Sequence, residues 1–484
     1  MSISGPARAQ ELAPPARPPL CVDLDGTLVL TDTLWDGAAS LFRKDLAFLR
    51  LPLWLLRGRA HLKKQVAALG RLDVTTLPYN EALLADLKRH HAAGREIWLC
   101  TGADRLVAER IAAHVGVFSG VIASDGTINL TGAQKQNALT ARFGKGGFDY
   151  IGNSRTDIPV WRDACEAHVI HPSAGLARAM RRNGLRIGEV YEKPCASNLR
   201  LWLETLRIHQ WAKNLLIFLP VLLGHRLGAL PDAGLAFLAF GLVASSGYLI
   251  NDTFDLQEDR RHQRKRHRAI ARGAVSVVGV LASIPLLWLA AAAICFLLPP
   301  DFGVILAIYL VCSLAYSLWL KKTRLMDLVM LAGLYTIRIS AGGAATDIVI
   351  SQWTLAFSVF FFLSLAMVKR VSELREFHAS ETTSVPGRSY QRIDIQPLCS
   401  LGAASGYMSV LVTALYINSP EVQLLYSRPQ CLWFMLPPLL YWISRMWLLA
   451  NRGNVDQDPI VFALKDRATY FAVGAVAAAA LTAI

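Results

Sequence analysis

Long apolar runs crowd residues 214–484 and are nearly absent before them, which divides the chain into a soluble part followed by a membrane part. Nine runs can be marked, near 214–230, 234–250, 274–298, 302–320, 326–345, 352–368, 397–417, 431–450 and 467–484. Only 18% of the 484 residues are charged, against about 25% in a soluble domain, so a disordered, fibrous or ordinary soluble protein is excluded. The net charge of +14 would suggest nucleic acid if it lay on a soluble face. Much of it lies in loops between apolar runs, and no nucleic-acid partner is expected. If residues 1–198 are cytosolic, the loops 251–273, 321–325, 369–396 and 451–467 share that side and hold 18 Lys and Arg. The opposite loops hold two, Arg226 and Arg428, as the positive-inside rule requires. The eight cysteines are scattered with no CxxC pair, which fits a reducing compartment and neither a zinc site nor a disulfide framework. The first residues carry no apolar signal region, so a cytosolic N-terminal domain is expected.

The soluble part reads as an N-terminal tail over 1–19, an α/β domain over 20–173, and an amphipathic, basic juxtamembrane linker over 174–213 with Trp202 and Trp211. Short apolar runs at 19–27, 96–102, 120–124 and 148–154 have the look of buried parallel strands in an open Rossmann-like sheet. The stretch 33–95 is helical in pattern and long enough to form a cap.

The first strand runs straight into Asp23-Leu-Asp25-Gly-Thr27. Two carboxylates so spaced at a strand end can share a site if the chain turns at Gly26. One attacks phosphorus and the other protonates the leaving oxygen. Taken alone the motif also fits a calcium-binding or turn sequence. Thr101-Gly102, Lys135 and the run Gly152 to Asp157 follow in order, and with them residues 20–172 resemble the haloacid dehalogenase superfamily of phosphatases. The resemblance implies Asp23 as nucleophile, Asp25 as general acid/base, Thr101 and Lys135 as phosphoryl ligands, and Asp23 with Asp157 as Mg²⁺ ligands. Asn153 departs from the pattern, because an acidic residue is common there. That loss weakens the metal site and leaves a purely structural domain open.

The second apolar run ends in Asn251-Asp252-Thr-Phe-Asp255, followed by Asp259-Arg260-Arg-His262. On a helix, Asp252, Asp255 and Asp259 share a face. So much negative charge beside a bilayer calls for cations, and metals held there can grip a diphosphate. The basic run through Lys265, Arg266 and Arg268 serves equally as a membrane-side anchor or as phosphate ligands. The NDxxDxxxD pattern over 200–484 resembles the UbiA superfamily of intramembrane prenyltransferases. Gln210-Trp211, Lys213-Asn214, Tyr316, Lys321, Asp327, Arg338 and Lys369-Arg370 resemble its polyprenyl-phosphate phosphoribosyltransferase branch. Gln263, Ala269 and His209 depart from that branch. The loop beginning KRVSELREF lacks the second aspartate cluster of aromatic prenyltransferases. Asp327 also reads as a helix cap, Tyr316 as an interfacial aromatic, and the Asp456 to Asp466 loop as a connector.

The expectation is a multidomain, multi-pass enzyme of the bacterial cytoplasmic membrane, with about nine spanning helices after the α/β domain. The resemblance implies Mg²⁺-dependent transfer of 5-phosphoribose from phosphoribosyl diphosphate to a polyprenyl phosphate, the ligands being Asp252, Asp255 and Asp259. Lys213, Asn214, Asn251, Arg260, His262, Lys265, Arg266, Arg268, Tyr316, Lys321, Asp327, Arg338 and Lys369 would bind substrate, and the phosphatase-like domain would remove the 5-phosphate. Homo-oligomers are compatible with this reading. The alternatives are an aromatic prenyltransferase with an accessory domain, an ion pump of the P-type ATPase kind, and an N-terminal interaction module without catalysis.

Overall fold

The computed structural model describes residues 17–41, 46–70, 72–191, 198–377, 390–455, 459–463 and 465–484. The chain forms two compact units. One comprises the chain up to Thr205 together with Asp252–Ala282, and the other comprises Leu206–Asn251 and Ser283–Ile484.

In the first unit the elements run β1 (Leu20–Val22), α1 (Thr33–Leu41), α2 (Leu51–Leu56), α3 (Arg59–Leu69), α4 (Glu81–Ala92) and β2 (Ile97–Asp104). Then follow α5 (Arg105–Val115), β3 (Gly120–Ser124), α6 (Ala133–Phe143), β4 (Asp149–Gly152), α7 (Ile158–Asp163), β5 (Ala167–Ile170), α8 (Ala174–Arg182), β6 (Ile187–Tyr191) and α9 (Asn198–Thr205). The six strands form one parallel sheet in the order β3-β2-β1-β4-β5-β6. Central strands read as unbroken apolar runs because helices cover both faces; Leu20, Cys21, Val22, Ile97 and Leu99 are all buried. Local chemistry sets the helix ends. Asp104 caps α5 by accepting from Leu106 N–H at 3.0 Å, and Gly116 closes it in the left-handed region. The chain reverses direction across the sheet between β1 and β4, and a crevice at such a switch point is where open α/β sheets bind ligands.

The juxtamembrane linker expected over 174–213 is corrected here. Its first part completes the sheet. Leu176 and Met180 of α8 pack into the core against Phe148, Tyr150 and Trp161, and β6 pairs with β5. The expected tail through residue 16, and residues 192–197 of the linker, lie outside the described residues.

The second unit is helical. It contains α10 (Leu219–Leu223), α11 (Leu230–Phe254, whose last turn passes into the first unit) and, beyond α12 (Leu256–Arg261), the helices α13 (Val277–Cys295), α14 (Pro300–Leu318), α15 (Met326–Ala345), α16 (Gln352–Phe377) and α17 (Ile395–Ile417). Among the described residues six helices are long and apolar enough to cross a membrane: Leu227–Phe254, Val277–Cys295, Pro300–Leu318, Met326–Ala345, Gln352–Arg375 and Arg392–Ile417. They match the second to seventh of the nine expected runs, and the first, eighth and ninth runs hold shorter helices. The first run has 3₁₀ geometry over Ile208–Phe218, continues through Pro220 in the first turn of α10 and ends at Leu223. The eighth starts late, after Pro429, as Leu436–Asn451, and the last spans only Arg467–Ala483.

Asp327 and Arg370, both fully buried, form an ion pair between α15 and α16, joined by Tyr390 Oη donating to Asp327 and by Glu373 pairing with Arg370. This places Asp327 in a structural network. Asp327→Ala leaves buried Arg370 with Glu373 as its ion-pair partner and is expected to destabilise the protein by about 3 kcal/mol. Thermal unfolding in detergent, read beside an exposed control such as Arg452→Ala, checks it.

Two candidate active sites

The first site is built at the sheet's switch point. Asp23 leaves β1, and Gly26, at φ +73°, turns the chain so that Asp25 follows it into the same crevice. Lys135 of α6 donates to Asp23 Oδ1 at 2.8 Å and to Tyr150 Oη at 2.8 Å, and stands 3.5 Å from Asp157 Oδ1. Tyr150 in turn donates to Asp157 Oδ1 at 3.0 Å. Asp157 Oδ2 accepts from the N–H groups of Asn153 and Ser154 and from the Ser154 hydroxyl. Thr101 is buried in β2, its hydroxyl accepting from Ala103 N–H at 3.0 Å. Asp23, Asp25, Thr101, Lys135 and Asp157 thus all lie on elements that end at this crevice, and Asp23, Lys135 and Asp157 touch. Asp25 accepts from Thr33 N–H at 2.7 Å. A cavity of about 60 Å³ opens beside it, lined among others by Asp32, Lys63, Asp104 and Val107.

The electrostatics separate the two carboxyls. Burial, then the nearby Asp32 carboxylate, pushes Asp25 up to about 7. Asp23 is raised by burial to about 6, with Lys135 pulling the other way. Burial disfavours the Lys135 ammonium, but Asp23 and Asp157 outweigh it and keep it charged. Asp25 is thus raised toward the range in which a carboxyl can give a proton to a leaving oxygen.

The sequence reading missed Tyr150 and Lys63. Tyr150 sits in an apolar strand, where an aromatic reads as core. Lys63 lies on cap helix α3, and donates to Gly102 O at 2.5 Å and Asn129 Oδ1 at 2.8 Å. Asn153 folds over the turn: a Cβ on Gly26 would stand 2.0 Å from its Nδ2. Gly26→Ala is expected to lower p-nitrophenyl phosphate turnover at least tenfold, since strain there costs about 1–3 kcal/mol. Turnover beside a melting curve checks this.

The second site begins in the loop that follows α11. The helix expected through Asp252, Asp255 and Asp259 is interrupted. α11 stops at Phe254, and Asp255 is the residue before α12. Asp252 and Asp259 nonetheless converge, because Arg268 Nη1 bridges Asp252 Oδ1 at 3.1 Å and Asp259 Oδ2 at 2.5 Å. Burial, opposed by Arg268, raises Asp259 to about 6. His262 Nδ1 accepts from the N–H groups of Arg264 and Lys265, which shapes the turn, and Lys265 and Arg266 are exposed. Arg260 is not on this surface. It is buried, donating to Asp36 and to Ala271 O.

In the helical unit, Lys321 Nζ donates to Asn251 Oδ1 at 3.0 Å, joining two of the expected residues. Arg338 joins two more elements. Its Nε donates to Asn214 Oδ1 at 3.0 Å and its Nη2 to Tyr309 Oη at 3.1 Å, among the rings of Phe240, Tyr309 and Tyr335. Gly342 allows this approach, because a Cβ there would stand 2.1 Å from Ile217 O. Lys213 is buried, and Tyr316 and Lys369 are half-buried. Asp456 and Asp458 lie outside the described residues.

The UbiA prenyltransferase family model matches residues 216–467, more than half of the chain. The chain belongs to the UbiA prenyltransferase family. A Sinorhizobium fredii protein, uncharacterized protein y4nM, is 36% identical over 96% of this chain and 90% of its own length. Nodulation protein NoeC of Azorhizobium caulinodans is 34% identical over 54% of this chain and 86% of its own. Decaprenyl-phosphate phosphoribosyltransferase of Mycolicibacterium smegmatis is 30% identical over 55% of this chain and 86% of its own. With its six candidate spans, this UbiA-family chain is a multi-pass membrane protein.

Both sites offer carboxylates to a divalent cation. At the aspartate loop, two carboxylates from separate helices already share one positive centre, the Arg268 guanidinium, and offer only oxygen, the donor that Mg²⁺ takes. At the first site Asp23 and Asp157 likewise share Lys135, although both Asp157 oxygens are engaged and Asn153 adds no charge.

Proposed function

We propose that this UbiA-family protein transfers 5-phosphoribose from phosphoribosyl diphosphate to a polyprenyl phosphate in the bacterial cytoplasmic membrane, and that its cytosolic α/β unit removes the 5-phosphate. The observation that carries the reading is the convergence of Asp252 and Asp259 on a single cation within the NDxxDxxxD motif. Similarity to the mycobacterial phosphoribosyltransferase supports the choice of donor. So does the absence of a second aspartate cluster in KRVSELREF.

Mg²⁺ held by Asp252, Asp255 and Asp259 would supply positive charge to the departing diphosphate. The chain's own part is positioning. Lys265 and Arg266, exposed on the loop, offer cations to the phosphates of the incoming donor. Arg338 acts one step back, because its donors are spent on Asn214 and Tyr309. It fixes the stretch that carries Lys213. The lipid phosphate oxygen attacks the anomeric carbon as diphosphate leaves, and no side-chain nucleophile is needed.

In the α/β unit, Asp23 attacks the 5-phosphate, Asp25 donates its proton to the ribose oxygen, and Lys135 neutralises the phosphoryl oxygens. Asp25 then deprotonates the water that frees Asp23, leaving polyprenylphosphoryl ribose and phosphate. Membranes bearing the protein, with Mg²⁺, polyprenyl phosphate and ribose-labelled donor, should yield labelled lipid lacking its 5-phosphate. Label transfer from an isoprenoid diphosphate to an aromatic acceptor instead would overturn the reading.

A further inference from the structure

Helix α1 is tied at two successive turns to different chemistry. At its start, Thr33 N–H donates to Asp25 Oδ1 at 2.7 Å. One turn on, Asp36 accepts from Arg260 Nη1 at 2.8 Å and from Thr31 Oγ1 at 2.8 Å, with the Asp36 and Arg260 side chains 0% and 2% exposed. Arg260 directly follows Asp259, and its Nε closes the loop by donating to Ala271 O at 3.0 Å. Around this pair the aspartate loop is fitted closely to the α/β core. Arg261 pairs with Asp73 at 2.7 Å. A Cβ on Gly273 would meet Leu30, Thr31 and Pro78 at 2.9, 3.1 and 3.2 Å. All of these residues belong to the same compact unit.

A buried ion pair is a poor source of stability, because desolvation offsets most of the attraction. This one is also incomplete: among the described residues, Asp36 Oδ1 and Arg260 Nη2 are buried with no hydrogen-bond partner. A two-bond fork would satisfy both atoms. Such a contact specifies register between two elements.

We propose that Asp36 and Arg260 are a positioning pair that couples the two candidate sites: the aspartate loop takes its geometry from α1, whose first turn is held by Asp25. The inference rests on the reading of both sites given above. Occupancy of the phosphoryl site then alters the loop, and the effect is reciprocal in free energy.

The test is hydrogen–deuterium exchange on the full-length protein in lipid nanodiscs, with and without orthovanadate as the probe of the phosphoryl site. Vanadate should protect peptides around Asp23 and Thr101 and also change exchange over 256–273 by about fivefold, the lower range of ordinary coupling. In Asp36→Asn, and separately in Arg260→Lys, the response near Asp23 should persist and that over 256–273 should vanish. Protection near Asp23 with 256–273 unchanged in the wild type overturns the coupling and leaves the phosphoryl site standing. An equal loop response in both variants overturns the role of the pair. Protection nowhere removes the phosphoryl reading and this inference with it. As a kinetic arm, Asp36→Asn should raise KM for phosphoribosyl diphosphate about fivefold with kcat retained. An unchanged KM counts against the pair.

Discussion

Asp252→Asn is expected to cut transfer of labelled ribose to lipid by roughly 10²–10³-fold, the usual loss when one preorganised electrostatic group is removed from a site of charge separation. The substitution keeps shape and removes one negative charge. Arg268, which spans Asp252 and Asp259, would then face a single carboxylate, and a divalent cation would lose one of its oxygen ligands. The loss should fall on kcat and on the Mg²⁺ requirement together. Dephosphorylation of added phosphoribosyl lipid by the same preparation should remain. An extraction assay at several Mg²⁺ concentrations reads both, and transfer at wild-type rate would remove the aspartate loop from the mechanism.

Asp23→Asn should show the opposite pattern. Without its nucleophile the α/β site should lose at least about 10⁴ in rate, as enzymes do when an attacking group is deleted. Labelled lipid should still form and should keep its 5-phosphate. The variant is isosteric and Asp23 N–H still bonds to Ile151 O, so the sheet is expected to fold. Equal phosphorylated lipid from wild type and variant would mean that the α/β unit acts on something else.

Much of this was legible in the sequence, for physical reasons that differ by element. Strands β1 to β4 announce themselves because buried parallel strands are continuous apolar runs ending at functional turns. β6 does not. It is the edge strand, with Ile187 and Val190 exposed and Glu189 between them, and its pattern is indistinguishable from a basic surface linker. Helix α8 misled for a related reason: three arginines on one face suit either a membrane surface or a solvated sheet helix, and only Leu176 and Met180 packing inward decides. The aspartate motif was visible as spacing, but the break at Asp255 was not, because nothing in NDTFDLQED forbids a continuous helix.

Among the site residues, spacing fixed which carboxylates belong together and could not assign their partners. Arg260 and Arg268 are separated by seven residues in a single basic run. One is buried against Asp36 and the other bridges the aspartates. Asp36 lay in plain view as one acid in the apolar helix TLWDGAASL. A lone charge on such a face asks for a buried partner, but that partner stands 224 positions away.

That separation bears on how the protein is made. The ribosome releases Asp36 long before Arg260 exists, and the intervening chain includes the helix Leu227–Phe254, the first long enough to cross a bilayer. Since domains tend to form as their segments emerge, the α/β sheet can assemble early with an acid in its wall still open to water. Its last piece, Asp252–Ala282, is made only as that helix ends. The first unit therefore cannot be completed until the chain has been made through the helix Leu227–Phe254 and on to Ala282.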